Sequence, residues 1–468
     1  MSKLTEIRLL IILAVLICAL SCKKEKVSDS TEEPPTKASA FHIDNVIEEI
    51  NSDYNGTRLI SNLKNNEKLI SISGRGRYDG DGFRLIQIDK KTGIDWLKSF
   101  TSENNSKQSI TCSDIDQEEN IWVGGHAALN NENGYAYPLL SKVDKSGNLL
   151  FSRYFPKMES EFSRLTLFGT SLKVLSNGDV LFLMTGSTTD ELARLSKTGE
   201  IIWNIRLENE ISYNAGGANS NRIMENAQGE IFVLTSEREY NKNSEGLHLY
   251  KFSPQGQLIF TKNYQFAPFD LDIDIRIYQL QSNDLLLFGH KSISSRDYPY
   301  IIKVDPANGN VKESIYCDGG AQGLLNVRLA NFIERENDLV MNCIIGSEYS
   351  LLKFDKSLNL LSTVKTLSKN SGGLSGAFML HDKEQKALYH IIDDPGPLGG
   401  TGFQMLKTDE SGVSCHTFTK PPTKLLFQKL HVTQLNVIRS FIDKLAPSLP
   451  LNWNKTEVLS IKKNVVCN

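Results

Sequence analysis

The stretch LLSKVDKSGNLLFSRYF, residues 139–155, returns along the chain in looser copies, and this recurrence constrains the fold more than any other feature of the sequence. One strand ends at Val143, the chain turns through Asp144, Lys145, Ser146 and Gly147, and a second strand starts at Leu149. The same frame appears as IQIDKKTGIDW with Gly93, ARLSKTGEIIW with Gly199, YKFSPQGQLIF with Gly256, IKVDPANGNV with Gly309 and LKTDESGVSC with Gly412. A degenerate copy, LKFDKSLNLL, has Leu358 in the glycine position. Neighbouring copies are spaced 49–57 residues apart, and there are seven. Asp or Ser at the head of the turn accepts a hydrogen bond from backbone two residues on, and glycine takes the left-handed geometry without a steric penalty.

A further strand precedes each turn: EKLISISG from Glu67, NIWVGGH from Asn120, GDVLFLMTG from Gly178, GEIFVLTS from Gly229, NDLLLFGH from Asn283, NDLVMNCIIG from Asn337 and KALYHII from Lys386. These runs are apolar without clean alternation, which is the pattern of strands buried on both faces. Shorter strands such as NRIMEN and IRIYQLQ stand ahead of them, so the unit is four antiparallel strands. Seven such units close most naturally into an all-β fold, a seven-bladed β-propeller of four-stranded antiparallel blades, in which radial stacking protects the sheet edges. An open solenoid is the runner-up. Helical repeats are excluded, because glycine and β-branched residues interrupt any 3.6-residue period every ten or so positions.

The frame x-Lys-x-Asp-x-x-Gly-x-x-x-aromatic, preceded by an apolar strand ending in glycine, resembles the PQQ-like (quinoprotein-type) β-propeller repeats of exported bacterial lipoproteins, over residues 57 to 415. The resemblance implies an architecture and leaves activity open, since propellers of this kind host enzymes, scaffolds and binding proteins alike. Quinone-dependent dehydrogenases of similar fold use tryptophan stacking, calcium and often vicinal cysteines. With four tryptophans and no Cys-Cys pair, no cofactor is expected here. The sialidase Asp-box fails on spacing, because two residues usually separate Asp from Gly.

The N-terminus, MSKLTEIRLLIILAVLICALSCKKEK, carries Lys3 and Arg8 ahead of an apolar run from Leu9 to Leu20, the layout of an export signal. Its end, Ala19-Leu20-Ser21-Cys22, resembles a bacterial lipobox and marks Cys22 for lipidation, with palmitate-type acyl chains as the membrane link. A plain secretory signal or signal anchor is the alternative. Residues 1–21 are thus read as a lipoprotein signal peptide and 22–40 as a flexible tether, charged and Pro/Ser-rich. Residues 41–415 form the propeller. Residues 416–468 form a C-terminal extension that leaves the repeat, with apolar runs near 425–438 and 456–466 expected to add strands covering the last blade or closing the ring. The expected location is the bacterial outer membrane. Lys23 and Lys24 depart from the acidic cluster that directs some lipoproteins to the surface, so periplasmic and surface display stay open.

The remaining chemistry is sparse. Formal net charge is −3 with no basic stripe, so nucleic acid is not an expected partner. Cys112, Cys317, Cys343, Cys415 and Cys467 make no CxxC pair and suggest no zinc site. A disulfide between Cys415 and Cys467 would staple the extension to the body; buried free thiols are the alternative for that pair and the expectation for the other three. His126 and His290 close corresponding strands three blades apart, roughly 15–20 Å from each other on strand spacing, too far to share a metal ion. The acidic runs DGDG (79–82) and DLDID (Asp270, Asp272, Asp274) fit no EF-hand loop and read as solvated charge. Arg222 and Arg276 occupy matching inner-strand places and are expected to pack against neighbouring blades.

Loops between the second and third strands are long in five blades, whereas the Asp-x-x-Gly turns stay tight. One face is therefore elaborated, and it is rich in Arg and Tyr: Arg75, Arg77, Tyr78, Tyr135, Tyr137, Arg238, Tyr240, Arg296 and Tyr298. Such residues dominate binding hot spots on rigid scaffolds. The expectation is a lipid-anchored, non-catalytic module that binds protein or glycan through this face. A propeller lyase or hydrolase with residues converging at the central channel, and a structural envelope component, are the rival readings.

Overall fold

A computed structural model describes residues 54–62, 68–74, 83–88, 94–102, 107–128, 136–155, 168–186, 189–208, 221–239, 244–265, 272–293, 296–317, 327–345, 348–368, 377–395 and 401–412, together with the tail pieces 425, 427–436, 441–442, 449–450 and 453–458. These residues form seven antiparallel sheets in chain order, spanning 54–102, 107–154, 168–208, 223–265, 272–317, 327–368 and 377–409. Each sheet lies against the next, and the inner strand Tyr54–Asn62 of the first lies against all three described strands of the seventh, so the stack closes on itself. The fold is a β-propeller.

The second strand of each sheet explains why a lone unit cannot stand. Val180–Thr185 and Leu339–Ile345 are buried at every position, on both faces. Separate apolar clusters fill the spaces between consecutive sheets. Trp122, Leu140 and Cys112 of the second sheet meet Phe182, Met184 and Leu195 of the third, and Phe232, Leu234 and Leu249 of the fourth meet Leu285, Leu287 and Ile302 of the fifth. Burying such side chains is worth about 1.5–3 kcal/mol each.

The repeated turn is a closed hydrogen-bond unit. Asp144 accepts from the backbone N–H of Ser146 at 2.9 Å and of Asn148 at 2.8 Å, while Gly147 N–H donates to the Asp144 carbonyl at 2.9 Å. Asp355 repeats this with Ser357 and Asn359, and the side-chain and backbone hydrogen bonds of Asn359 hold its carboxyl below the usual range. The basic residue two places before the turn has a fixed partner in the preceding hairpin of its own sheet. Lys142 pairs with Asp116 at 3.0 Å, Arg194 with Asp179 at 2.7 Å, Lys251 with Glu230 at 2.9 Å, Lys303 with Asp284 at 3.8 Å and Lys353 with Asp338 at 2.9 Å.

The aromatic residue that closes the frame packs on the next sheet. Phe151 lies over Gly199, Trp203 over Gly256 and Phe260 beside Gly309, so close that a Cβ on those glycines would stand 2.9, 2.8 and 3.1 Å from the ring. Trp96 reaches the second sheet's turn through an indole N–H donated to the Lys145 carbonyl at 3.1 Å. The pairing lapses at two of the described turns, one of them Gly412, which meets Leu351 and Val364 instead of a ring. Leu358 keeps the positive φ of the turn, at 59°, and the fifth sheet offers Glu313 in the aromatic place. Leu358 is instead buried among Cys317, Phe354 and Leu360.

The C-terminal extension runs back around the rim against chain order. Phe427–Lys429 pairs with the outer strand of the fifth sheet, Thr433–Asn436 with the fourth, Phe441–Ile442 with the third, Leu449–Pro450 with the second and Trp453–Val458 with the first. All five pairings are antiparallel, and each adds a fifth strand to its sheet. The described tail strands therefore edge the first five sheets and not the last. Leu425 and Leu430 peg the strap, one into the cluster between the fifth and sixth sheets and one into that between the fourth and fifth. Gln434 and the Tyr264 hydroxyl both donate to the Gly309 carbonyl, at 2.8 and 2.6 Å.

Gly256→Ala should lower stability by about 2 kcal/mol, from a backbone at φ 85° and a methyl driven into Trp203. Trp203→Ala should cost about 3 kcal/mol. In the double variant the loss should fall short of the sum, because removing the indole clears room for the methyl. Urea unfolding of the three variants checks this; a strictly additive pair would leave the contact without energetic weight.

Candidate functional site

The loop-bearing end of the ring is set by the hairpins joining second and third strands. Tyr137 is the second residue of strand Ala136–Val143, half-buried, with its ring 5.9 Å from that of Tyr154. Tyr298, also half-buried, is the third residue of Arg296–Val304 and sits across from Lys291. The two tyrosines belong to the second and fifth sheets, so they stand apart on the same end of the ring. Arg238 and Arg296 occupy strand positions opposite Glu245 and Ile293, and the placement of their side chains lies outside the description. Arg75, Arg77, Tyr78, Tyr135, Tyr240, Cys22, Cys415 and Cys467 lie outside the described residues, as does the 79–82 run.

His126 and His290 occupy matching register positions, each across from a proline, Pro138 and Pro299. Among the described residues no group of three or more His, Cys, Asp or Glu side chains is placed to hold a metal ion. Arg222 and Arg276 are both buried, and the inner strands around them are tied by the Ile277 N–H donating to the Asn221 carbonyl at 2.8 Å. Cys112, Cys317 and Cys343 are free, buried thiols; burial pushes Cys112 up to about 12 and Cys343 further, so neither is a nucleophile at ordinary pH.

A buried polar chain between the sixth and seventh sheets was not signalled by any motif. Asn342 Nδ2 donates to the Tyr349 hydroxyl at 3.1 Å, which lies 2.8 Å from His390 Nδ1, and His390 Nε2 lies 2.9 Å from Thr408 Oγ1. Thr408 Oγ1 donates to the Asp409 carbonyl at 2.9 Å, so it accepts from His390, which fixes the proton on Nε2 and leaves Nδ1 to accept from Tyr349. Burial lowers His390 to about 3 and raises Tyr349, so both stay neutral. Asn342, Tyr349, His390 and Thr408 are all fully buried between the sixth and seventh sheets. Every ring atom that could exchange a proton is engaged, and the chain works as a polar tie between sheets.

A second perturbed group is Glu191, which burial raises to about 7 in spite of Arg206 across the ladder, with Asp190 beside it adding to the rise. It stands in the third sheet, whose outer strand carries the tail residues Phe441 and Ile442.

No protein-family model matches the chain, and no curated protein matches it in sequence. Similar solved structures include a polysaccharide lyase, 13% identical with a TM-score of 0.45 over 79% of this chain and 97% of that one. A protein from Lactobacillus plantarum is 10% identical with a TM-score of 0.43, over 73% and 96% of the two chains. The Trypanosoma rangeli sialidase is 7% identical with a TM-score of 0.40, over 79% and 55%. The class defined by the coordinates is the β-propeller, here with a tail that edges its sheets, and no residue role is transferred from these proteins.

The two buried groups predict opposite pH dependence. His390 titrates near 6.5 unfolded and about 3 folded, so the stability it contributes above pH 6.5 is lost as pH falls towards 3, by roughly 1.4 kcal/mol per pH unit. Glu191 titrates near 4.5 unfolded and about 7 folded, so the folded chain takes up this proton first and gains stability as pH falls from 7 to 4.5. The slopes offset each other between pH 6.5 and 4.5. Across that range denaturation midpoints should fall more steeply with falling pH in Glu191→Gln than in the parent; a profile unchanged between the two would refute the assignment.

Proposed function

We propose that the chain is an exported, lipid-anchored propeller that binds a protein or glycan partner at its loop-bearing end, with the membrane reached through acyl chains on Cys22. The observation that carries this reading is the pair Tyr137 and Tyr298, half-exposed aromatic side chains held at the loop entry of rigid strands, where little conformational entropy is lost on binding. The opposite end consists of tight Asp-x-x-Gly turns whose polar groups are already paired with one another. The charged, Pro/Ser-rich composition of the stretch after Cys22 supports reading it as a tether.

Two experiments test the parts separately. Photo-crosslinking groups placed at Tyr137 and Tyr298 of the full chain in its own membranes should capture a defined partner, and Tyr137→Ala with Tyr298→Ala should weaken that partner's binding at least about tenfold, the scale of losing aromatic anchors. Binding unchanged in the double variant would move the site elsewhere, and turnover of a polysaccharide by the full chain would replace the binding reading with an enzymatic one. Cys22→Ser should abolish palmitate labelling and release the chain from the membrane fraction; labelling retained in that variant would overturn the anchor.

A further inference from the structure

The fifth and sixth sheets meet without the ring-on-glycine contact. In the frame of the repeated turn, Glu313 of the fifth sheet stands where Phe151, Trp203 and Phe260 stand in the second, third and fourth, and Leu358 of the sixth stands where those rings meet glycine. The next interface lacks the ring as well, since Gly412 meets Leu351 and Val364. There the buried chain of Asn342, Tyr349, His390 and Thr408 supplies a tie of another kind. Between the fifth and sixth sheets the side chains able to make a tie are two cysteines.

Cys317 ends the outer strand Val311–Cys317 of the fifth sheet, and Cys343 lies in the second strand Leu339–Ile345 of the sixth, between Leu329 and Ser350 in register. Both belong to the apolar cluster that fills the space between these sheets, together with Phe288, Ile301, Met341 and Leu352, and both are fully buried. The two thiols are near enough to act on each other, because Cys317 adds to burial in raising Cys343. Cys112 offers the contrast. The cluster between the second and third sheets holds it with no second thiol among the described residues. All three stand reduced in the structure.

We propose that Cys317 and Cys343 are a disulfide-forming pair, whose oxidation joins the fifth and sixth sheets covalently within their shared apolar cluster. The oxidant is another disulfide, such as oxidised glutathione. One cysteine thiolate attacks it and displaces a glutathione thiolate; the other then attacks the protein sulfur of the mixed disulfide and displaces the second. The protein sulfurs give up two electrons and two protons, and the oxidant leaves as two thiols. Exchange runs through thiolates, which burial withholds in the stacked ring, so the bond forms before these sheets close on each other. The same burial then shields it from reductants. Cys317 also pairs with Phe427 of the tail, and Leu425 lies in the same cluster, so the bond stands under the first hold of the strap. An exported chain would meet an oxidising compartment, but the pairing itself does not depend on Cys22, so either reading can fail without the other.

Folding the full chain in reduced and oxidised glutathione, then alkylating it in denaturant without reductant and mapping its peptides, tests the pairing whatever compartment the cell uses. A peptide pair joined through Cys317 and Cys343 is expected, with Cys112 alkylated as the internal control. Cys317 and Cys343 both alkylated in the folded product, or either one joined to a different cysteine, would overturn the proposal. In the folded chain the bond should be reduced at least about tenfold more slowly than in the unfolded chain; equal rates would remove it from the buried cluster. Reductant added during urea unfolding should lower the midpoint of the parent more than that of Cys343→Ala, because the parent alone loses a link that restricts its unfolded chain. Equal shifts in the two would count against a bond between the sheets. If Cys343→Ala does not fold, the peptide map alone decides.

Discussion

The ring depends on an aromatic side chain meeting a glycine that belongs to the next sheet. Phe151 on Gly199, Trp203 on Gly256 and Phe260 beside Gly309 are the same contact made three times, and each glycine serves twice. Its φ between 71° and 85° closes the turn, and its missing Cβ leaves the surface on which the ring sits. Either need alone would tolerate a substitute, since Leu358 holds a φ of 59° where no aromatic faces it. Both together do not. That double demand keeps the unit recognisable while most of its other positions drift.

Ion pairs and the strap act on the frame this contact builds. Lys142, Arg194, Lys251 and Lys353 join two hairpins of one sheet, with both partners largely withdrawn from water or shielded at one end. Such pairs hold geometry more than they add stability, because desolvation consumes much of the attraction. The strap has a different dependence. Its strands are two to six residues long and too short to persist alone, so they form only where an outer strand already stands. Running from the fifth sheet to the first, the tail fits a ring whose sheets are already stacked, and it removes five open edges that would otherwise template association.

The legible part of the molecule is the part that repeats. Strand order, turn chemistry and burial on both faces could be read from Asp144 to Gly147 and from runs such as VLFLMT, because hydrogen bonding and apolar burial act within a few residues of one another. The partner of each repeated lysine was hidden, since Lys142 and Asp116 belong to different hairpins and only the ladder register joins them. The tail was half legible. Its apolar runs announced strands, but nothing local to Thr433–Asn436 or Trp453–Val458 names the sheet each one joins. His126 and His290 drew attention by their matching places in the sequence, whereas His390, hydrogen-bonded through both ring nitrogens, sits in KALYHII without any mark.

That contrast follows from where selection on the fold acts. A side chain that locks sheet to sheet is constrained by neighbours about fifty residues away, and the constraint leaves a periodic trace because every sheet has such a neighbour. His390 ties one pair of sheets only, through Tyr349 and Thr408, so it leaves no period to detect. The same holds for recognition. The turn end is committed to closing hairpins, the interfaces to stacking, and the outer edges of the first five sheets to the strap. Among the described residues, the loop end, with Tyr137 and Tyr298, lies outside those three commitments.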